Sequence, residues 1–130
     1  AIQEIAATDF EEYREVNELI LQGRKLGSDV LIAEAKESKC YDTVVISKAA
    51  DAMLAMSGIE ASFVLAKNTQ GLISARSRSK LNVQRIMEEL GGGGHFNLAA
   101  AQIKDLTLSE AGEKLTEIVL NEMKEKEKEE

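Results

Sequence analysis

The chain has 130 residues, a formal net charge of −7 and a single cysteine, Cys40. A chain of this length forms one domain that buries enough surface to fold without disulfides. The lone cysteine excludes an internal bridge and fits a reducing cytoplasm. No apolar run approaches the roughly 18 residues of a membrane helix. The acidic balance argues against a surface that binds long nucleic acids throughout.

The charge is unevenly distributed along the chain. Between residues 61 and 104, six basic side chains stand against two acidic ones. A local cationic patch on an acidic protein suits a small anionic ligand better than a long polyanion. Scattered, solvated charges are the alternative, and composition leaves it open.

Hydrophobic periodicity, caps and turn residues predict the elements in chain order. They are a helix over 9–20, a strand over 30–35, a helix over 43–56, a strand over 61–67, a return strand over 72–78, a helix over 83–90, a strand over 100–106 and a last helix from 107. A short strand near residues 19–25 is left open. The pattern predicts a single α/β domain, with a mixed sheet of about four or five strands packed with about four helices. It does not give the strand order.

Four consecutive glycines, Gly91, Gly92, Gly93 and Gly94, follow the third predicted helix and end at the only histidine, His95. Without a Cβ, the backbone can approach a ligand closely. Successive N–H groups can then form an anion-binding concavity, and the imidazole can donate to a phosphate oxygen. A flexible linker is the alternative, but the flanking residues are apolar.

The return strand ends in cations. Alternation puts Ser74, Arg76 and Arg78 on one face of it and Ser77 on the other. One helix then leads from this strand to the glycine run. We therefore expect Arg76 and the run to converge on one phosphate if that helix packs on the sheet.

These residues carry a resemblance to a known family. The block 73–77, the segment 82–84 and the run 91–95 with the alanines after it resemble the DHH-associated domain of the DHH phosphoesterases. The stretch 49–64 is similar to one branch, the membrane-anchored cyclic-di-AMP phosphodiesterases of Gram-positive bacteria (the GdpP type). The resemblance begins at about residue 30. Since the first residues resemble the interior of a longer sequence, we expect 1–29 to be a helix and connection from a missing upstream domain and 30–130 to be the DHH-associated, substrate-binding domain.

The resemblance implies a function. In this family a separate N-terminal DHH domain holds two manganese ions, which activate a water that attacks a phosphodiester. The DHH-associated domain closes over the same cleft and holds the nucleotide. This chain would then be the substrate-binding half of a manganese-dependent enzyme that hydrolyses cyclic-di-AMP to a linear dinucleotide. The implied substrate-binding residues are Ser74, Arg76, Ser77, Gly91, Gly92, Gly93, Gly94 and His95.

The chain has no DHH sequence and no acidic or histidine cluster at metal-ligand spacing. We therefore predict no catalytic residue and no metal ligand in it, and manganese would belong to the upstream domain. The expected partners are a cyclic dinucleotide and that upstream domain of the same protein, with no long nucleic acid and no direct membrane contact. The domain would be cytoplasmic within a full-length protein anchored in the membrane. A homodimer is left open.

Two alternatives remain from the sequence. One is a domain that binds single-stranded or short oligonucleotides in a DHH exonuclease or oligoribonuclease. Gln102 weakens that assignment, because the wider family often has glycine at this position. The other is an interaction module in which the glycine run is only a hinge.

Overall fold

A computed structural model describes residues 9–69, 73–79, 83–95, 98–103 and 105–129, with side chains for 9–69, 83–94, 101–103 and 105–124. Its elements are α1 (Phe10–Leu21), β1 (Gly23–Leu26), β2 (Val30–Glu34), α2 (Thr43–Leu54), β3 (Ala61–Lys67), β4 (Ile73–Ser79), α3 (Gln84–Glu89), β5 (Gly93–His95), β6 (Leu98–Ile103) and α4 (Leu108–Glu129). The predicted class, a single α/β domain with a mixed sheet and four helices, is confirmed for the described residues.

The described strands form one six-stranded sheet in the order β1-β2-β3-β4-β6-β5. Strands β2 and β3 are parallel, whereas every other neighbouring pair is antiparallel. Parallel neighbours need a crossover connection, and α2 supplies it. Helix α2 therefore lies over the centre of the sheet, on β3 and β4. It stands beside the candidate site.

The two strands beyond the predicted four are short. Strand β1, which the sequence left open, pairs with β2. Strand β5 lies inside the glycine run, which the sequence predicted as a loop, and it pairs with β6. Gly93, Gly94 and His95 show no alternation of apolar and polar side chains, so the sequence gives no signal for a strand. They form a strand because they pair with β6. The last strand also begins and ends earlier than predicted, and Asp105 follows it with a φ of 65°.

The two faces of the sheet have separate cores. On one face, which we call the α3–α4 face, Phe63 and Leu65 of β3 pack with Met87 and Leu115. On the other, the α1–α2 face, Val64 packs with buried residues of α1 and α2. Strand β3 is buried from Ala61 to Ala66 because both of its faces are covered.

The predicted starts of α1, α2 and α4 are confirmed, whereas α3 begins after Val83 without a side-chain cap. The carboxylates of Asp9 and Asp42 accept backbone N–H bonds from Glu11 and Val44, at 3.2 and 2.9 Å, as N-cap residues do. At the start of α4, Thr107 and Glu110 form a capping box. The Thr107 N–H donates to the Glu110 carboxylate at 2.9 Å, and the Glu110 N–H donates to the Thr107 hydroxyl at 3.1 Å.

Helix α1 buries less of its apolar stripe than the spacing indicates. Phe10 and Tyr13 are 69% and 63% exposed. The fully buried residue is Leu19, with Val16 and Ile20 partly buried against α2. Only the second half of the helix lies against the core, so its first turns remain in solvent.

Candidate ligand-binding site

The first half of the glycine run is a helix cap. Gly91 has a φ of 89°, in the left-handed region that favours glycine. Its N–H donates to the Glu88 carbonyl at 3.0 Å, and the Gly92 N–H donates to the Met87 carbonyl at 2.8 Å. These two bonds form a Schellman motif at the end of α3. The predicted anion-binding concavity is therefore wrong for Gly91 and Gly92, because the helix end already takes their N–H groups.

The second half of the run is a strand. Gly93, Gly94 and His95 pair with Ala100, Ala99 and Leu98 of β6. Gly94 has a φ of 144°, which favours glycine, but Gly93 does not have a positive φ. An added Cβ at Gly93 would meet no described heavy atom within 4 Å. Neither backbone conformation nor packing among the described atoms requires glycine there, and the described atoms leave room for a ligand to approach the strand.

The strand register connects Arg76 to this run. Arg76 pairs with Val64 on one side and with Ala100 on the other, and Ala100 pairs with Gly93. Neighbouring strands lie about 4.8 Å apart, so the backbones at positions 76 and 93 are roughly 10 Å apart. The next row, two residues along, runs through Arg78 and Leu98 to His95. The side chains of β4 and of His95 lie outside the described atoms.

The predicted site residues are divided between the two faces of the sheet. Directly opposed residues of neighbouring strands share a face. Positions 74, 76, 93 and 95 therefore belong to the α1–α2 face, through pairing rows that begin at Ala66, Val64 and Ser62. Positions 77 and 94 fall in the row of Phe63, on the opposite face.

Among the described elements, no helix makes a substantial contact with β5 or β6 on the α1–α2 face. Helix α2 packs on β3 and β4, whereas the main helix contact of β5 and β6 is with α3, on the other face. Among the described elements, α2 is thus the helix nearest to the β5 edge on this face. We call the surface beside it, formed by the rows 76–100–93 and 78–98–95, the β5–β6 shelf.

Ser62 fixes the position of α2 over the sheet. This buried hydroxyl donates to the Ala50 carbonyl at 2.7 Å. Its row continues through Arg78 and Leu98 to His95. Sequence reasoning missed this residue, although a single serine inside an apolar strand is a signal, since buried hydroxyls need a partner.

Two of the six basic side chains between residues 61 and 104 are ion-paired outside that segment. Lys67 lies 3.0 Å from Glu37, and Arg85 lies 3.5 Å from Glu122. The pKa of Glu37 is lowered, first by the N–H bond from Leu108 and then by Lys67. The cationic segment therefore overstates the charge available to a ligand. Of its other basic residues, Arg76 and Arg78 belong to β4.

The described side chains include no group of three or more His, Cys, Asp or Glu residues that could hold a metal ion. None of the described helices combines the length and apolarity that crossing a bilayer requires.

Residues 27–126 match the DHHA1 domain family. The chain therefore belongs to the DHHA1 domain family, which confirms the resemblance to the DHH-associated domain. The predicted boundary between residues 29 and 30 stays a prediction.

Within that family the matched curated relatives support the predicted branch. The chain is 48% identical over 92 residues to the cyclic-di-AMP phosphodiesterase GdpP of Geobacillus thermodenitrificans, covering 69% of this chain and 14% of that protein. It is 40% identical over 116 residues to the cyclic-di-AMP phosphodiesterase PdeA of Listeria monocytogenes, covering 88% and 18%. The chain thus spans less than a fifth of either relative.

A solved structure shares the fold. An exopolyphosphatase-related protein from Bacteroides fragilis superposes with a TM-score of 0.75 at 17% identity, over 90% of this chain and 36% of that one. At this identity the likeness concerns the fold alone.

Proposed function

We propose that this chain is the substrate-binding domain of a phosphodiesterase that hydrolyses cyclic-di-AMP to a linear dinucleotide. Membership of the DHHA1 family and the similarity to GdpP and PdeA support the proposal. The observation that carries it is the row from Arg76 through Ala100 to Gly93, on the part of the sheet that none of the described helices covers on this face.

Each proposed ligand-binding residue on this face has a chemical task. The Arg76 guanidinium pairs with a phosphate of the ligand in a charge-assisted hydrogen bond. Gly93 lets the ligand approach the strand without meeting a side chain. The imidazole of His95 donates a further hydrogen bond. Ser74 shares this face and adds a hydroxyl donor, whereas Gly91 and Gly94 shape the backbone.

The rest of the enzyme lies upstream in this proposal. A DHH domain of the same protein closes over the shelf and holds manganese, which supplies activated water when it is bound. The full-length protein is anchored in the cell membrane and acts in signalling, with this domain in the cytoplasm.

Calorimetric titration with cyclic-di-AMP tests the role of the two side chains. We expect Arg76→Ala and His95→Ala each to weaken binding by about 1.5–3 kcal/mol, the cost of losing a hydrogen bond to a charged group. Arg14→Ala is the matched control, because Arg14 is exposed on α1 and pairs only with Glu11 among the described residues. Wild-type affinity in both shelf variants would contradict the proposal.

Gly93→Ala tests the close approach without removing any polar group. We expect unchanged stability, because the new methyl group would meet no described atom and the backbone does not require glycine. We expect cyclic-di-AMP binding to be lost, because the methyl group occupies the surface where the ligand lies. Urea unfolding and calorimetry on the same sample measure both quantities. Normal binding by a stable Gly93→Ala variant would exclude a ligand at this position.

The described aromatic residues argue against the oligonucleotide alternative. Single-strand binding relies on aromatic side chains that stack with bases. Phe63 and Tyr41 are buried, and the exposed Phe10 and Tyr13 lie on α1. Phe96 lies outside the described residues. Tight, steeply salt-dependent binding of short oligonucleotides in a fluorescence-anisotropy titration would favour that alternative.

A further inference from the structure

One flank of helix α2 faces the β5–β6 shelf. Lys48 pairs with Glu12 of α1 and so marks the flank of α2 that faces α1. Successive helical residues are about 100° apart around the axis, which places Ser47, Ala50 and Leu54 together on a different flank. Since α1 lies over β2 and α2 over β3 and β4, this second flank is directed toward β6 and β5.

Along the helix, Ser47 stands close to the level of the Arg76 row. The Ser62–Ala50 hydrogen bond fixes the relative height of α2 and β3. Helix α2 runs opposite to β3, because it connects two parallel strands. Val64 lies about 6.6 Å beyond Ser62 along the strand, a distance that corresponds to roughly four helical residues back from Ala50. Four residues back from Ala50 is Ile46, and Ser47 lies one residue, about 1.5 Å along the axis, from that level. Val64 begins the row that runs through Arg76 to Gly93.

The Ser47 hydroxyl is available for a ligand. Ser47 is half-buried, and within the part of the chain that the structure describes its hydroxyl makes no hydrogen bond. Two other described hydroxyls are occupied, since Ser62 donates to Ala50 and Thr116 donates to the Gly112 carbonyl at 2.8 Å. A half-buried hydroxyl without a partner, beside a cationic row, is suited to donating to a phosphate or sugar oxygen.

We propose that Ser47 is a further ligand-contacting residue, whose hydroxyl donates a hydrogen bond to a phosphate group of the dinucleotide held on the Arg76–Gly93 row. The proposal rests on the proposed function and adds a second wall to the site. The ligand then lies between the flank of α2 and the shelf, rather than on an open sheet surface. We assign a phosphate group as the partner of Ser47 because Ser47 lies within about one helical residue of the height of the Arg76 row.

Titration of the 130-residue chain with cyclic-di-AMP tests this assignment. We expect Ser47→Ala to raise the Kd roughly tenfold, the effect of losing one hydrogen bond to a charged group. Ser47→Thr keeps the hydroxyl and should bind within about threefold of the wild type by the same measure. Ser57→Ala is the control, since Ser57 is exposed beyond the end of α2. Thermal unfolding of all variants should match the wild type, which a purely structural role for Ser47 would not allow.

Arg76→Ala in the same titration separates the two proposals. If Arg76→Ala weakens binding but Ser47→Ala binds like the wild type, the Ser47 assignment is overturned and the proposed function stands. If Ser47→Ala and Ser47→Thr lose affinity equally, the hydroxyl is not the contact and the assignment is again wrong. If the wild-type chain and its full-length form both fail to bind cyclic-di-AMP, the proposed function fails and this inference fails with it.

Discussion

Tyr41 illustrates how one polar side chain is retained in a core. It is 5% exposed, and its hydroxyl donates to the Glu18 carboxylate at 3.1 Å. Lys39 binds the same carboxylate at 2.6 Å and lies 5.0 Å from the centre of the Tyr41 ring. The group connects α1 to the segment before α2, so it helps to hold the helix that carries Ser47.

The environment of Tyr41 predicts a loss of stability at alkaline pH. Burial, and then Glu18, raise the pKa of Tyr41 to about 12 from an ordinary value of 10.0. The folded state keeps this proton where the unfolded chain loses it. The stabilising contribution is therefore complete below pH 10 and is lost as the pH rises toward about 12.

Phenolate absorbance measures this directly. Of the two tyrosines in the chain, a Tyr13→Phe variant leaves only Tyr41 to titrate. We expect its midpoint near 12, with unfolding followed in parallel by circular dichroism. A midpoint near 10 in a folded sample would show that the buried hydrogen bond is absent.

At the scale of elements, the glycine run has two separate roles. Gly91 ends α3, whereas Gly93 belongs to a strand. We expect Gly91→Ala to cost about 1–2 kcal/mol, because a residue with a Cβ must then adopt the left-handed region. No described atom lies within 4 Å of the added Cβ, so the cost arises from the backbone alone.

Urea unfolding of Gly91→Ala and Gly93→Ala side by side measures the difference. Only the first variant should lose stability. Equal stability of the two variants would mean that α3 ends without the Schellman motif.

The sequence predicted the helix starts but not the division of this run. Asp9, Asp42 and Thr107 act through neighbours two or three residues away, so local spacing is enough to identify them. The division between cap and strand depends on β6, which follows later in the chain. The face that each site residue shares also depends on register. Strand alternation already separated Ser77 from Arg76, but a local pattern could not assign Gly93 and Gly94 to opposite faces.

At the scale of the whole molecule, the alternation of helices and strands was enough to predict the class. It was not enough to predict the order β1-β2-β3-β4-β6-β5, because the short edge strands β1 and β5 carry little signal. The charge pattern was informative only in part. Lys67 and Arg85 are paired with Glu37 and Glu122, which are distant in sequence.

We expect the 130-residue chain to bind cyclic-di-AMP without hydrolysing it. The described side chains hold no group suited to a metal ion, and two-metal hydrolysis needs such a group. Incubation of the 130-residue chain with cyclic-di-AMP and manganese, followed by chromatography, should recover the intact cyclic dinucleotide. Hydrolysis that is proportional to chain concentration and lost in Arg76→Ala would contradict this prediction.

The surface beside α2 is assembled from parts that are far apart in the chain. Positions 76 and 93 share one row only when β6 has inserted between β4 and β5, and the inferred place of Ser47 beside this row also needs the crossover helix. If the proposed function holds, a bound nucleotide stabilises the whole sheet against unfolding. At a concentration about a hundredfold above the Kd, it would add roughly 2.7 kcal/mol to the free energy of unfolding.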